Sequence, residues 1–157
     1  MPKITPFLWF DDQAEEAATF YVSVFPNSKI NAVSRYGAAG PGPAGKVMVV
    51  AFELDGVAFN ALNGGPHFNF TEAVSFQITC QDQAEVDHYW DKLTQGGGSP
   101  GQCGWLKDRF GLSWQVVPRA LPELIGGPDR EKANRANAAM LKMGRLDIAA
   151  LEAAREG

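Results

Sequence analysis

The tetrapeptide DQAE at residues 12–15 recurs letter for letter at residues 82–85. Each copy follows a short strand-like run, residues 4–10 and 74–80, and each opens an amphipathic stretch with an aromatic residue at the same place. Self-similarity with matching context on both sides is the pattern left by a duplicated supersecondary unit. The repeat therefore predicts two copies of one module.

The repeated tetrapeptide also predicts where each module's helix begins. An aspartate at an N-cap accepts hydrogen bonds from free amide protons of the first turn, and a glutamate three residues later reaches back. Both carboxylates also lie near the positive end of the helix dipole. We therefore interpret Asp12 and Asp82 as structural caps and not as catalytic groups.

The rest of each module is predicted to be strands. An Asp-Gly pair at residues 55–56 is a strong hairpin signal between two apolar runs. Glycine and proline make residues 37–45 a loop. The order is strand-helix-strand-strand-strand, twice, followed by a helical tail. The predicted elements after the first helix are strands 29–36, 47–54, 57–62 and 74–80, a helix from 82, a connection with a short strand in 96–104, a hairpin over 105–117, and helices 130–143 and 147–155.

Composition narrows the class of protein. The chain has 157 residues, of which 45% are hydrophobic and 20% charged, as in an ordinary globular protein. Its net charge of -4 disfavours nucleic acid as a partner, because phosphate binding needs a basic surface. No apolar stretch approaches the length of a membrane span, and nothing at the start reads as a signal peptide. With only two cysteines, we expect a cytoplasmic protein with free thiols.

Three separated motifs together resemble one superfamily. They are FNALNGGP at residues 59–66, DRFGLSWQ at 108–115, and the tail segments 139–143 and 146–151. The chain resembles the vicinal-oxygen-chelate superfamily, which includes glyoxalase I, bleomycin-resistance proteins and extradiol dioxygenases. It is most similar to the PhnB-like proteins, often catalogued as 3-demethylubiquinone methyltransferase-like. The resemblance extends over essentially the whole chain.

The resemblance implies an α+β fold in which tandem βαβββ modules form a curved mixed sheet with a C-terminal helical tail. We expect a domain over residues 1–118, with modules at 3–63 and 74–117. Residues 119–157 would be a helical extension that packs on the same domain or on its dimer mate. A homodimer is expected, since the resemblance implies that the halves pair between chains.

The resemblance also locates the superfamily's metal positions, at Thr5, Asn60, Ser75 and Gln115. None of these positions carries a carboxylate or an imidazole. Two amides and two hydroxyls bring no negative charge to offset the dehydration of a divalent ion. We therefore expect no bound metal and no cofactor.

The resemblance implies a concave surface on the curved sheet. We expect that surface to form a small-molecule pocket between the sheet halves. Because side chains alternate along a strand, apolar and polar groups would converge there. In the alternative interpretation, the amides satisfy one another or ordered water. The residues predicted to bind the ligand are Phe7, Trp9, Asn60, Ser75, Gln77 and Gln115.

Three further residues are candidates for a catalytic role. His67 lies in the loop between the modules, where a histidine serves as an acid or base, or simply bonds to backbone. His88 falls off the apolar stripe of the second helix and is predicted to be a surface residue. Cys103 has no neighbouring histidine or lysine that would activate a thiol.

The reaction itself is not apparent from the sequence. A methyltransferase acting on a ubiquinone precursor is the alternative that the family name suggests. Such enzymes usually hold S-adenosylmethionine at a glycine-rich turn that opens a helix. Here the glycines of residues 37–45 lead into a strand, and those at 96–98 follow a helix. A role in protein interaction alone remains a third hypothesis.

Overall fold

The computed structural model describes residues 2–157. The chain divides into two compact units, and the boundary in the sequence falls between Phe70 and Thr71. The chain is an α+β protein in which each unit has one four-stranded mixed sheet. The elements of the first unit are β1 (Phe7–Phe10), α1 (Ala14–Val24), β2 (Lys29–Arg35), β3 (Val47–Leu54) and β4 (Val57–Asn63).

In the first unit the strand order is β1-β4-β3-β2, with β1 parallel to β4 and the other pairs antiparallel. The predicted hairpin at residues 55–56 is confirmed, and both residues have positive φ angles, 48° and 81°. Helix α1 packs on one face of the sheet. The Tyr21 ring stacks on Phe52 at 6.3 Å between centroids, and Phe52 stacks on Phe59 at 5.5 Å. This aromatic layer is the core of the first unit.

The second unit repeats the plan with shorter strands and adds a helical tail. Its sheet has the order β5-β8-β7-β6, with β5 parallel to β8. The elements are β5 (Ser75–Cys80), α2 (Gln83–Thr94), β6 (Ser99–Pro100), β7 (Trp105–Lys107), β8 (Ser113–Pro118), α3 (Leu121–Leu124), α4 (Arg130–Met140) and α5 (Ile148–Glu156).

The turn between β7 and β8 is organised by one buried carboxylate. Asp108 Oδ1 accepts hydrogen bonds from the amides of Phe110 at 2.8 Å and Leu112 at 3.1 Å. Its Oδ2 accepts from Trp114 Nε1 at 2.9 Å. Gly111 closes the turn with a φ of 88°, a value that favours glycine. The DRFGLSW motif is thus a structural turn.

The tail is attached to its own unit. The side chain of Gln83, at the start of α2, donates to the Leu146 carbonyl at 3.0 Å and accepts from the Ile148 amide at 2.8 Å. Leu146 and Leu151 are fully buried. The backbone of Cys103 also donates to the Met143 carbonyl at 2.8 Å.

Several predicted boundaries were wrong by a few residues. β1 begins at Phe7 and not at Ile4, because its pairing with β4 starts at Asn60. Helix α4 ends at Met140 instead of residue 143, and the helical tail predicted from Leu121 onward begins with a separate short helix, α3. No helix within residues 2–157 has the length and apolar character needed to cross a bilayer.

The two predicted caps had different outcomes. Asp82 is confirmed as the N-cap of α2, because its Oδ1 accepts from the Glu85 amide at 2.9 Å. The prediction for Asp12 was wrong, since α1 starts one residue later, after Gln13, which makes no side-chain cap. The Ala14 amide is satisfied instead by Asn63 Oδ1, at 2.7 Å, from the end of β4. Asp12 therefore does not cap α1.

Candidate functional site

The ends of four strands meet at one edge of the first sheet. Because β1, β4 and β2 finish where β3 begins, their flanking residues converge there. This edge holds a cleft of about 910 Å³. The residues that line it are Trp9, Asp11, Asp12, Glu15, Arg35, Tyr36, Pro41, Gly42, Pro43, Lys46, Val47, Met48, Leu62, Asn63, Gly64, Gly65 and His67.

Trp9 is the best-anchored side chain of the cleft. Its Nε1 donates to the Gly65 carbonyl at 2.9 Å. Phe68 meets the indole edge-on at 4.9 Å between ring centroids, and His67 does so at 6.5 Å. A Cβ on Gly64 would overlap with the same ring, so the turn after β4 can approach the indole only because residue 64 is glycine. Trp9 is therefore held in place by backbone and aromatic contacts.

Asn63 ties three walls of the cleft together. Its Oδ1 caps α1 at Ala14, and its Nδ2 donates to the Val47 carbonyl at 3.2 Å. The Tyr36 hydroxyl donates to the Asn63 carbonyl in a short hydrogen bond. One residue thus links the start of α1, the start of β3 and the end of β2.

Residues 37–46 form another wall and fold over Tyr36. The Tyr36 amide donates to the Lys46 carbonyl at 2.9 Å, and the Gly45 amide donates to the Tyr36 carbonyl at 2.8 Å. A Cβ on Gly42 would overlap with the Tyr36 ring, which shows how closely the loop approaches it. The loop leaves the ring buried and supplies Pro41 and Pro43 to the lining.

The charged residues of the cleft are separated by sign. Asp11, Asp12 and Glu15 follow β1 and begin α1, whereas Arg35 and Lys46 flank the turn from β2 to β3. All five side chains are exposed. Within residues 2–157, no ion pair joins either group to the other. The Arg35 Nη1 instead donates to the Gly45 carbonyl at 3.2 Å.

The second unit carries a polar row on one sheet face. Gln115 Nε2 donates to Ser75 Oγ at 3.0 Å, and Gln77 Nε2 donates to Thr79 Oγ1 at 3.4 Å. The Ser113 hydroxyl is buried and has no hydrogen-bond partner in the part of the chain that the structure describes. Part of this row is thus self-satisfied, as in the alternative interpretation of the predicted amides.

The six predicted ligand residues divide between the two units. Trp9 alone belongs to the lining of the cleft. Phe7 is 56% exposed and pairs with the half-buried Asn60, on the same sheet as Trp9. Ser75, Gln77 and Gln115 lie on β5 and β8, where Gln115 donates to Ser75 and is the register partner of Gln77. The binding role of these residues stays a prediction.

The three residues weighed as catalytic groups have different surroundings. His67 lines the cleft beside Trp9. His88 is exposed on α2 and meets the neighbouring Tyr89 ring at 4.9 Å, so its surface position is confirmed. Cys103 is half-buried with a positive φ of 57°.

The residues at the four positions that the resemblance implies for a metal carry no charged donor. Their donors are neutral, and the hydroxyl of Ser75 is already bonded to Gln115. Among residues 2–157 there is also no cluster of three histidine, cysteine, aspartate or glutamate side chains suited to a metal ion. Hard cations need carboxylate ligands, so no chemical step is derived through a metal here.

Sequence reasoning missed most of the cleft. The sequence predicts a capping pair for Asp12 and Glu15, and only a loop for residues 37–45. The usable signal was the topology, because three predicted strand ends and one strand start fall at the same sheet edge. Charged or aromatic residues flank three of these four points, namely Asp11, Asp12, Arg35, Tyr36 and Lys46, and Asn63 ends β4 at the fourth.

Comparisons with known proteins agree with this fold. A family model described as 3-demethylubiquinone-9 3-methyltransferase matches residues 2–117. A PhnB protein from Bacillus cereus is 38% identical, with a TM-score of 0.68 over 74% of this chain and 99% of that one. A Pseudomonas aeruginosa protein of solved structure is 23% identical, with a TM-score of 0.62 over 75% and 98% of the two chains.

A more distant likeness concerns the fold alone. The fosfomycin resistance protein FosX from Listeria monocytogenes, solved with Mn(II) and sulfate, is 16% identical. Its TM-score is 0.54 over 85% of this chain and 99% of that one. No curated protein sequence matches the chain. The family match ends at residue 117, so it does not extend to α3, α4 and α5, to which the sequence resemblance had been applied.

Proposed function

The chain belongs to the PhnB-like, 3-demethylubiquinone-9 3-methyltransferase-like family of the vicinal-oxygen-chelate superfamily, and from that premise we propose that it binds a small molecule in the cleft of its first unit. The sequence-based expectation was a pocket between the sheet halves, and the cleft proposed here shares only Trp9 with the six residues predicted to line that pocket. It is a binding function, and it assigns no reaction.

The observation that supports the proposal is the construction of the cleft. An apolar lining with a few convergent polar groups is the usual form of a ligand site, and about 910 Å³ lies within the usual range of volumes. Trp9, Tyr36 and Leu62 supply apolar surface, while Asn63 and its partners hold the walls at fixed positions. Pre-formed walls lower the entropy that a ligand must lose on binding.

A library of small fragments tests this proposal by thermal shift. The lining variant Met48→Trp would fill the cleft, whereas Val33→Trp enlarges a residue on the edge strand β2, outside the lining. We expect fragments that stabilise the wild-type chain to stabilise Val33→Trp equally and Met48→Trp not at all. Hits that stabilise all three proteins alike would show that the ligand binds elsewhere.

The methyltransferase named in the family description is the alternative. It would require a site for S-adenosylmethionine, and within residues 2–157 neither glycine-rich segment opens a helix. Residues 37–45 precede β3, and glycines 96–98 lie between α2 and β6. We expect no heat of binding when S-adenosylmethionine is titrated into the protein. A dissociation constant in the micromolar range, about -8 kcal/mol, would favour the methyltransferase.

The other predicted ligand residues lie outside the lining of the cleft, so we propose a smaller contribution to binding for them. Phe7 and Asn60 lie on the same sheet as Trp9 and would contact a ligand that extends along β1. Ser75, Gln77 and Gln115 belong to the second unit, where Gln115 donates to Ser75 and Gln77 donates to Thr79, so fewer donors are free for a ligand. Substitution of Gln115 by leucine should therefore weaken fragment binding less than Met48→Trp does.

A further inference from the structure

We propose that the ligand of this cleft is a zwitterion, with a cationic amine and an acidic group at opposite ends of a compact apolar body. This inference rests on the proposed function, because it concerns the same cleft. It names the chemical class of the ligand from the separation of charge across the edge of the first sheet.

The strand order sets the distance between the two charged walls. Asp11 and Asp12 follow β1, Lys46 precedes β3, and Arg35 ends β2. In the order β1-β4-β3-β2, two strand spacings separate β1 from β3 and three separate β1 from β2. At about 4.8 Å per spacing, the backbones of the two walls are roughly 10 to 14 Å apart. At this distance between the backbones, the charged side chains of the two walls leave room for a small molecule between them.

The charges on the two walls do not neutralise each other directly. No hydrogen bond or ion pair within residues 2–157 joins Asp11, Asp12 or Glu15 to Arg35 or Lys46. Asn63 caps α1 at Ala14, so this cap does not use the acidic side chains. Each wall thus carries charge of one sign, with no ion pair across the cleft among residues 2–157.

The helix dipole explains only part of this arrangement. Acidic residues in a first turn are favourable because they face the positive end of the helix. That effect accounts for Glu15 and Glu16 in α1, but it does not require basic residues on the opposite wall. Arg35 and Lys46 come from β2 and from the loop before β3, and both line the cleft. Charges of opposite sign on facing walls complement a ligand that carries both.

The floor between the walls selects the body of the ligand. Trp9 and Leu62 present an aromatic ring and an aliphatic side chain, and the buried Tyr36 ring lies beneath the loop of residues 37–46. A flat apolar group would bury surface against them, while its two ends remain near the charged and exposed walls. A ring with an amine on one side and a carboxylate on the other meets these requirements.

Three probes that share one ring test the ligand class. 4-(Aminomethyl)benzoate carries both charges, benzylamine only the positive one, and benzoate only the negative one. Exposed ion pairs contribute little individually, so we expect a two- to fivefold gain for each charge, roughly. By isothermal titration at low millimolar concentration, the zwitterion should therefore bind about two- to fivefold more tightly than either singly charged probe.

Matched variants on each wall locate the charges. Glu15→Gln should weaken the zwitterion and benzylamine about twofold or more, whereas Glu16→Gln, one residue along the same helix and outside the lining, should change nothing. Lys46→Gln should weaken the zwitterion and benzoate, while Lys29→Gln at the far end of β2 should not. These four side chains are exposed, so the substitutions leave the core intact.

Each outcome decides one question. Preference for the zwitterion with loss only in Glu15→Gln and Lys46→Gln supports the inference. Equal binding of the three probes, abolished by Met48→Trp, overturns the ligand class and leaves the proposed function intact. If none of the three probes binds while unrelated fragments still stabilise the protein through the cleft, the ligand class is overturned and the proposed function stands. Failure of every fragment as well as every probe would overturn both.

Discussion

At the scale of single residues, Asp108 shows how a family motif becomes structure. Its carboxylate is 3% exposed and accepts three hydrogen bonds, two from backbone amides and one from Trp114. In the variant Asp108→Asn, Nδ2 would replace Oδ2 and would face the indole N–H, so two donors would meet. A buried donor left without an acceptor costs about 1–3 kcal/mol.

We therefore expect Asp108→Asn to lower the free energy of unfolding by about 2 kcal/mol, measured by urea denaturation. The double variant Asp108→Asn with Trp114→Phe removes the opposing donor. A favourable coupling of about 1 kcal/mol in the double-mutant cycle is expected. Strictly additive effects would contradict the assignment of this bond.

Cys80 provides a residue-scale prediction about pH. Its side chain is fully buried at the end of β5, and burial raises the pKa of its thiol to about 12, with the charges of Glu85 and Asp82 adding to the effect. A thiol reacts as the thiolate, so iodoacetamide should leave Cys80 unmodified in the folded protein at about pH 8. In denaturant both cysteines should be alkylated, as mass spectrometry would show.

The same shift predicts how stability depends on pH. Because the folded pKa of the thiol lies above its ordinary value of 9.0, the protonated thiol contributes stability below that value, and the contribution is lost as pH rises towards about 12. The variant Cys80→Ala should lose less stability than the wild type over that window. An equal loss in both proteins would show that other groups govern the alkaline transition.

At the scale of elements, the two copies of the DQAE repeat differ in whether their aspartate caps the helix. Asp82 caps α2, whereas the equivalent Asp12 is replaced by Asn63, which reaches α1 from β4. We expect Asp82→Ala and Asn63→Ala each to lower the free energy of unfolding by about 1 kcal/mol. Asp12→Ala should change it by less than about 0.5 kcal/mol. Equal costs at positions 12 and 82 would contradict the observed asymmetry.

This asymmetry also shows what sequence could and could not predict. Periodicity and turn residues predicted the strand and helix order because those signals are local, as at the 55–56 hairpin and the 108–111 turn. The cap from Asn63 is a contact over 49 positions in sequence, so no local pattern could reveal it. The cleft was missed for the same reason. Arg35 and Asp12 line the same cleft only once β1, β4, β3 and β2 have paired into a sheet.

At the scale of the whole molecule, a homodimer remains our prediction. Several apolar side chains are exposed on the single chain, among them Phe7, Val57, Val74 and Leu141. Folded proteins usually cover such surface. Light scattering at micromolar concentration should therefore give about twice the chain mass of 17.0 kDa. A monomer under these conditions would contradict the prediction.

The part of the tail in that interface can be tested separately. Leu146 and Leu151 are buried within the chain, so the contribution that the sequence had suggested for the C-terminal helices falls mainly to Leu141, which is 64% exposed. The variant Leu141→Glu should weaken the dimer, whereas Lys142→Glu, at the next exposed position, serves as a matched control. Equal assembly of both variants would exclude Leu141 from the interface.

Metal content is a second property of the whole protein. The neutral donors at Thr5, Asn60, Ser75 and Gln115 predict that untagged protein carries no stoichiometric zinc, nickel, manganese or iron. Elemental analysis of the purified chain measures this directly. About one equivalent per chain, removed by a chelator with loss of ligand binding, would contradict the argument from the donor set.

The most direct measurement of the central claim is a crystal structure of the chain with the fragment that stabilises it most. The account predicts ligand density in the cleft of the first unit, against Trp9, Tyr36 and Leu62. Density on any other surface, with that cleft holding only solvent, would contradict it.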